Sequence, residues 1–396
     1  MSRLNISVYI TIIVCLLLTA CSSYEISQPT ASVATIPEQV SKPTNTPYPP
    51  KEYPIKLAWF YKAPSDGNFG FVASTFDFFI MSKGNEQDRD KLLALGAPRP
   101  ILQYIRFDAI MDPGSCSRKP QQNNAAYLPG DFCMIDEQHP DWFLLDQNGQ
   151  RFVDFYSNEN WVMMDPGNPG WRAFFLDRIR KTQDPDRNWN GVFLDNVEVT
   201  LSFREMADRL PASYQNDTTY QIAVQGFLEY LHTNYFKPTK HLLFANLVAR
   251  RDDADWTKYV NYLDGAMHEG WSIDWPNGYR SAENWEKQIS LAEQTQAMGK
   301  YIVLVSQGTK PNTTLQKFAF ASYLLINQGL AAFRYANSSN YREAWVYNNY
   351  SIDLGKALGP RYRVGSAWRR DFSNGYVQVD PETHETQIQV NGQEVP

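Results

Sequence analysis

An α/β fold is predicted for this chain: a (β/α)8 barrel of the TIM type. Three observations point to it. Eight short apolar runs with strand-forming composition recur along the sequence. Helix-period stripes of apolar residues separate most of them. Several runs end abruptly in carboxylates or amides, as parallel strands do when their carboxyl ends meet at one barrel mouth. The runner-up is an open doubly wound sheet. Its dinucleotide-binding form is disfavoured because the first strand–helix connection lacks G-x-G-x-x-G.

The chain opens with an address. Arg3 precedes an apolar stretch, Val8 to Leu18, too short to cross a bilayer comfortably as a permanent helix. The stretch closes in Leu18-Thr19-Ala20-Cys21, which resembles the lipobox of bacterial lipoproteins. That resemblance implies that Cys21 is acylated and holds the mature chain by a lipid anchor in the membrane, extracytoplasmic on the bacterial cell envelope. An ordinary signal peptide or an uncleaved anchor is the alternative. Residues 22–52 are rich in Ser, Thr and Pro, a composition that cannot bury a core and reads as a solvated tether. The barrel domain is expected over 53–360 and a short β tail over 361–396.

The strand candidates are Leu57–Tyr61, Asp77–Ser82, Pro100–Phe107, Gly191–Asn196, Leu242–Leu247, Leu263–Glu269, Tyr301–Ser306 and Ala331–Tyr335. Helical patterns lie at Glu86–Leu95, on the face of Trp171, Phe174, Phe175 and Ile179, and on that of Val224, Phe227, Leu228, Leu231 and Tyr235. A weaker stripe joins Trp285, Ile289, Ala292 and Gln296, and another joins Leu315, Phe318, Ala319, Ser322 and Ile326. A last helix is expected within Tyr341–Leu354. Beyond it, Val364–Val390 reads as β structure with a turn at Ser373-Asn374-Gly375.

A long insertion, 108–168, follows the third strand. It carries Tyr127, Phe132, Trp142, Phe143, Phe155, Tyr156 and Trp161. It is either a wall over the mouth or a self-packed decoration. It also carries Cys116 and Cys133. Processing would remove Cys15 and lipidate Cys21, leaving these two in an oxidising compartment, where a disulfide is expected. A metal pair is the alternative, but no nearby His or Cys completes a site.

Composition narrows the function. The chain has 396 residues, ample for a large core, and 11 Trp, 23 Tyr and 22 Phe, rings that build cores and also wall sugar sites. Net charge is −6, and no basic run concentrates the charge that phosphate contact needs, so nucleic-acid binding is excluded. The five His form neither H-x-H nor H-E-x-x-H, and no metal or other cofactor is expected. The nucleophile elbow G-x-S-x-G and the phosphate-cradling G-x-x-x-x-G-K-[ST] are both missing from the sequence.

The chemistry is expected at two strand tips. Gly191-Val192-Phe193-Leu194-Asp195-Asn196 ends in Asp195, and Tyr262-Leu263-Asp264-Gly265-Ala266-Met267-His268-Glu269-Gly270 ends in Glu269. Two carboxyls at one mouth are what acid-assisted cleavage of a glycosidic bond requires, one protonated and the other ionised. Asp195 is read as nucleophile or base and Glu269 as general acid. The bland alternatives are a buried acid bonded to loop amides for Asp195 and a salt bridge for Glu269. Tyr61, Arg106, Asn196, Asn246, His268, Trp271, Gln307 and Tyr335 stand at or just past strand ends and are candidate sugar contacts. Asp165 is a turn residue that could reach the site from the insertion, and Asp264 reads as structural.

Asn190-Gly191-Val192-Phe193-Leu194-Asp195-Asn196 resembles the strand-four signature of the bacterial glycoside hydrolases grouped as hypothetical glycosyl-hydrolase-like family 15. His139-Pro140-Asp141-Trp142-Phe143-Leu144, Met164-Asp165-Pro166, Met267-His268-Glu269-Gly270 and Leu358-Gly359-Pro360 are similar to that group in the same order, over roughly residues 55 to 380. The arrangement is more distantly similar to glycoside hydrolase family 114, the α-1,4-polygalactosaminidases. There an Asp after strand four and a Glu after strand six are the implied pair, and Asp195 and Glu269 fall on those positions. The resemblance implies a fold and a reaction class more than a substrate. The expectation is a monomeric envelope glycoside hydrolase acting on a polysaccharide or oligosaccharide. A non-catalytic carbohydrate-binding lipoprotein and an envelope scaffold are the alternatives, the first favoured by loss of the acid pair and the second by lack of an aromatic-lined mouth.

Overall fold

The computed structural model describes residues 55–156, 158–202, 209–248, 255–274, 278–337 and 340–396. Cys21, the leader 1–21, the tether 22–52 and the first residues of the 53–360 domain lie outside them.

Eight parallel strands form one sheet in chain order. They are β1 (Ala58–Tyr61), β2 (Phe78–Ser82), β3 (Ile101–Arg106), β4 (Gly191–Glu198), β5 (Leu242–Val248), β6 (Gly265–Glu269), β7 (Tyr301–Gln307) and β8 (Ala331–Ala336). Leu57 bridges Phe333 in parallel, and Phe333 N donates to Lys56 O at 2.9 Å, which brings β8 back to β1 and closes the barrel. The predicted (β/α)8 barrel is the observed fold. The helices between strands are α1 (Phe69–Thr75), α2 (Glu86–Ala94), α3 (Pro169–Gln183), α4 (Asp217–Leu231), α5 (Asp255–Val260), α6 (Ala282–Ala297) and α7 (Thr313–Ile326). Asparagine or serine caps most of them. Asn68, Asn168, Asn216, Ser281 and Asn312 each accept a first-turn N–H through the side chain.

Three elements depart from expectation. The two short helices α1 and α5 carry too few turns for a visible stripe. The helix expected within Tyr341–Leu354 is a single 3-10 turn, Asn348–Ser351. Aromatic and polar residues alternate there without a helical apolar face, and the segment lies as a loop against the barrel.

Strand period fixes what the barrel encloses. Ala58 and Phe60, Phe78 and Ile80, Leu102, Phe193, Phe244, Met267, Val303 and Val305, and Ala332 form one buried inner cluster. Residues of opposite parity, such as Val192, Leu194, Ala266, Ile302, Leu304 and Phe333, pack outward against the helices in a second, larger cluster. Adding two to the inner position of a strand therefore predicts which side chain reaches the mouth: Tyr104 from β3, Asp195 from β4, Asn246 from β5, Glu269 from β6 and Gln307 from β7.

The insertion after β3 is ordered. Ala109–Asp112, Glu159–Met163 and Val153–Tyr156 form an antiparallel sheet, accompanied by a helix at Asp131–Gln138. Cys116 and Cys133 are joined, with Cα atoms 5.7 Å apart. Tyr127, Phe132, Trp142, Phe143 and Trp161 are buried and Phe155 is exposed; Phe132, Trp142 and Phe143 join the main core, where Trp142 meets Trp171 and Phe174 of α3. The tail is a five-stranded antiparallel sheet from Tyr362 to Glu394, and Val377, Val379 and Ile388 of its inner face join the core. Phe372 pairs with Gly375 across the expected turn. Among the described residues no helix is long and apolar enough to cross a membrane.

Candidate active site

The mouth is built at the carboxyl ends of β3 to β7. In β4 the pairing with β5 slips between Leu194 and Val197, a bulge, and Asn196 takes a left-handed φ of 60°. Bulges re-aim side chains at barrel rims. Here the strand runs on to Glu198 instead of stopping at Asn196, and the extra residue lets Asp195 face inward while Val197 resumes the ladder.

β6 is positioned by a missing side chain. A Cβ on Gly265 would lie 2.4 Å from the Phe244 ring and 2.6 Å from Tyr301 O. Only glycine lets β6 pack so closely beside β5 and β7, and that packing sets the height at which Glu269 emerges.

Asn246 joins the two acids. Its Nδ2 donates to Asp195 Oδ1 at 3.0 Å and to Glu269 Oε2 at 3.2 Å. The two oxygens hang on one nitrogen, so they stand no farther apart than those bonds laid end to end, about 6 Å. Asp195 also accepts from Asn196 N at 2.9 Å and from the Tyr104 hydroxyl. Glu269 Oε1 accepts from Tyr341 OH at 2.7 Å and from Gln307 Nε2 at 3.0 Å. Both carboxylates are half-buried at the mouth.

Burial pushes the Asp195 carboxyl above the usual carboxylate range. The hydrogen bond from Tyr104 works against this, the charge of Glu269 adds to it, and the bonds from Asn246 and Asn196 lower it again. The three phenols at the mouth rise well above their ordinary value and stay protonated. For Tyr104 the causes are burial and then the Asp195 charge; for Tyr341, burial and then Glu269. For Tyr61 they are burial, then Asp195, then Glu269.

The structure thus brings Tyr61, Asp195, Asn246, Glu269 and Gln307 to one place; Asn196 joins them through its backbone N–H, while its side-chain amide donates to Asp108 at 3.4 Å. Other candidates have their side chains engaged elsewhere. Arg106 is buried and spans Asp108 (2.8 Å) and Asp154 of the insertion (2.8 Å), over the Trp161 ring. Asp165 accepts from Gly167 N and the Tyr214 hydroxyl in a turn of the insertion. His268 points outward with Ala266 and packs between Trp256 and Trp271. Trp271 is fully buried, its indole N–H on Ala319 O at 3.2 Å. Tyr335 lies on the outer face of β8 beside Trp345 and Tyr347. Asp264 accepts from Leu243 N at 2.8 Å beneath the mouth.

Two contributors escape the sequence reading. Tyr104 carries a signal that could have found it, since it lies two residues past inward Leu102. Tyr341 carries none, because it comes from the loop after β8 and obeys no period. Buried Arg334 holds that loop, donating to Tyr341 O at 3.1 Å, Glu343 O at 2.8 Å and, in β1, Ala58 O at 3.0 Å. Among the described residues no group of three or more His, Cys, Asp or Glu is arranged to hold a metal ion.

The sequence model of hypothetical glycosyl hydrolase family 15 matches residues 101–376. No curated protein matches the sequence. Among solved structures, the chain is similar to the glycoside hydrolase domain of PelA from Pseudomonas aeruginosa, with 15% identity over 74% of this chain and 97% of that one and a TM-score of 0.47. It is similar to an α-galactosidase from Thermus thermophilus, with 11% identity over 88% of this chain and 67% of that one and a TM-score of 0.43. An α-amylase from Lactobacillus plantarum is also similar, with 11% identity over 86% of this chain and 96% of that one and a TM-score of 0.42.

Proposed function

The chain belongs to hypothetical glycosyl hydrolase family 15, and from that premise we propose that it cleaves O-glycosidic bonds of a polysaccharide or oligosaccharide with Asp195 and Glu269 as its two carboxylates. The observation that carries this reading is the single Asn246 amide bonded to both acids. Two carboxyls converging on one amide are what a glycosidase needs, one to attack the sugar carbon and the other to move the proton.

The donors around each acid support distinct roles. Asp195 Oδ1 faces a backbone N–H, that of Asn196, which can only donate and so favours the anion. Glu269 faces a hydroxyl and side-chain amides, which can turn to accept, and we assign it the proton transfers. In the first step Asp195 attacks the anomeric carbon, the glycosidic C–O bond breaks, and Glu269 gives its proton to the departing oxygen. In the second, Glu269 takes a proton from water, the water oxygen attacks the same carbon, and the bond to Asp195 breaks. The net change is hydrolysis with retained configuration. Nearest oxygens within about 6 Å fit the separation of about 5–5.5 Å of retaining enzymes better than the about 6.5–9.5 Å of inverting ones.

On this reading Cys21 carries a lipid that anchors the enzyme extracytoplasmically in the bacterial cell envelope, and 22–52 is its tether. The test is reducing-end release from a panel of microbial and plant polysaccharides by the wild type, Asp195→Asn and Glu269→Gln. Release that both substitutions abolish is expected. Release that survives both would remove the pair from the mechanism.

A further inference from the structure

Tyr61 stands at the tip of β1 with a φ of 73°. A bulky side chain rarely adopts the left-handed region, and residues held there cluster at functional sites. The strain is enforced from both sides. Lys62 N bonds Phe60 O at 3.0 Å across Tyr61, a tight three-residue turn, and the Trp59 indole N–H bonds Lys62 O at 2.9 Å. The result is that the Tyr61 ring enters the mouth between two other phenols. It meets Tyr104 edge-on at 5.0 Å and Tyr341 edge-on at 5.6 Å.

The three phenols are not equivalent. Tyr104 spends its hydroxyl on Asp195 and Tyr341 spends its own on Glu269. The Tyr61 hydroxyl makes no hydrogen bond to a described residue and is not sealed from solvent. A polar group held at a backbone cost, between the phenols that bond the two acids, with its own hydroxyl bonded to no described residue, is placed for a ligand.

We propose that Tyr61 is the sugar-recognition residue of the site, its phenol hydrogen-bonding a hydroxyl of the ring held between Asp195 and Glu269. The proposal rests on the glycoside hydrolase reading and deepens it. A site built to pair a hydroxyl discriminates against a sugar that lacks or inverts it, because the phenol is then left unpaired. Tyr61 thus selects which hydroxylated ring enters.

The test uses the full-length protein and its Tyr61→Phe variant, with hydrolysis and gel-retardation binding measured on the same polysaccharide panel and thermal midpoints recorded for both. Expected is a fall in kcat/KM, or in binding, of about 10- to 100-fold. The midpoint should be unchanged, since the ring packing stays and no internal hydrogen bond is lost. Unchanged hydrolysis and binding would overturn the proposal while leaving the hydrolase reading intact. So would a loss matched by a lower midpoint. A wild type that binds without cleaving would sink the hydrolase reading, and Tyr61 would then be judged on binding alone. A wild type that neither cleaves nor binds would sink both.

Discussion

On the proposed mechanism Asp195 answers two opposing demands: it would be ionised to attack, yet burial and the neighbouring Glu269 charge favour its protonated form. Its folded pKa lies above the unfolded value, so its contribution is fully present below about pH 4, the unfolded value, and is lost as pH rises through the folded one. At neutral pH the charge is a liability. Asp195→Asn should therefore raise the thermal midpoint near pH 7 while removing activity, and the gain should shrink toward about pH 4. A midpoint gain independent of pH in calorimetry would contradict the argument. Asn246 bears on the same group from the other side. Its amide lowers the Asp195 pKa, so Asn246→Ala should move the acidic limb of the pH–activity profile to higher pH and cut kcat by about 10- to 1,000-fold. An unmoved limb would mean that the amide does not tune the nucleophile. At this scale the sequence is informative where period rules. Asp195, Asn246, Glu269 and Gln307 each lie two residues beyond an inward apolar residue of β4 to β7. Arg106, His268, Trp271 and Tyr335 sit at or beside strand ends as well, and adjacency to a strand tip does not reveal which face a side chain takes or which partner it finds. Tyr341 needs the folded chain, since a buried Arg334 delivers it from a loop.

At the scale of elements, the site depends on two local irregularities. One is the bulge at Asn196, which an apolar run ending in Asp-Asn announces only as a stop. The other is Gly265, where a strand is legible but the need for glycine, contact with Phe244 and Tyr301, is not. Gly265→Ala should destabilise the protein by about 1–3 kcal/mol through overpacking and should displace Glu269. A urea titration showing wild-type stability would refute the contact. The insertion presents a different case. Its disulfide closes a segment with a sequence separation of 17, and Cys116→Ser with Cys133→Ser should cost up to about 3 kcal/mol in the chain-entropy account. Limited proteolysis should then cut first within 108–168; cleavage elsewhere would place the fragile region outside the insertion. The insertion's ring count suggests a sugar wall, yet Phe132, Trp142 and Phe143 join the main core instead. Aromatic content alone does not distinguish a platform from packing.

For the whole molecule, alternating strand and helix patterns are enough to give the barrel, because a parallel strand buried on both faces cannot disguise its apolar run. Its closure is not legible: a bridge at Leu57 and Phe333 and the guanidinium of Arg334 draw β8 to β1 across the length of the domain. The tail's attachment is equally hidden. Arg370 donates to Leu324 O, Leu325 O and Asn327 O at the end of α7, and Arg361 lies between Glu286 and Glu293 of α6. These contacts make the terminal sheet a support for two barrel helices. On the proposed mechanism Asp195 becomes bonded to the sugar while Glu269 moves the protons. This is tested most directly by intact-protein and peptide mass spectrometry of Glu269→Gln, incubated with an aryl glycoside of the sugar that the wild type releases. A reactive leaving group spares the first step its acid, and the missing base stalls the second. Expected is a mass gain of one glycosyl residue, mapped to the peptide that contains Asp195. Turnover with no adduct, together with an inverted product, would contradict it.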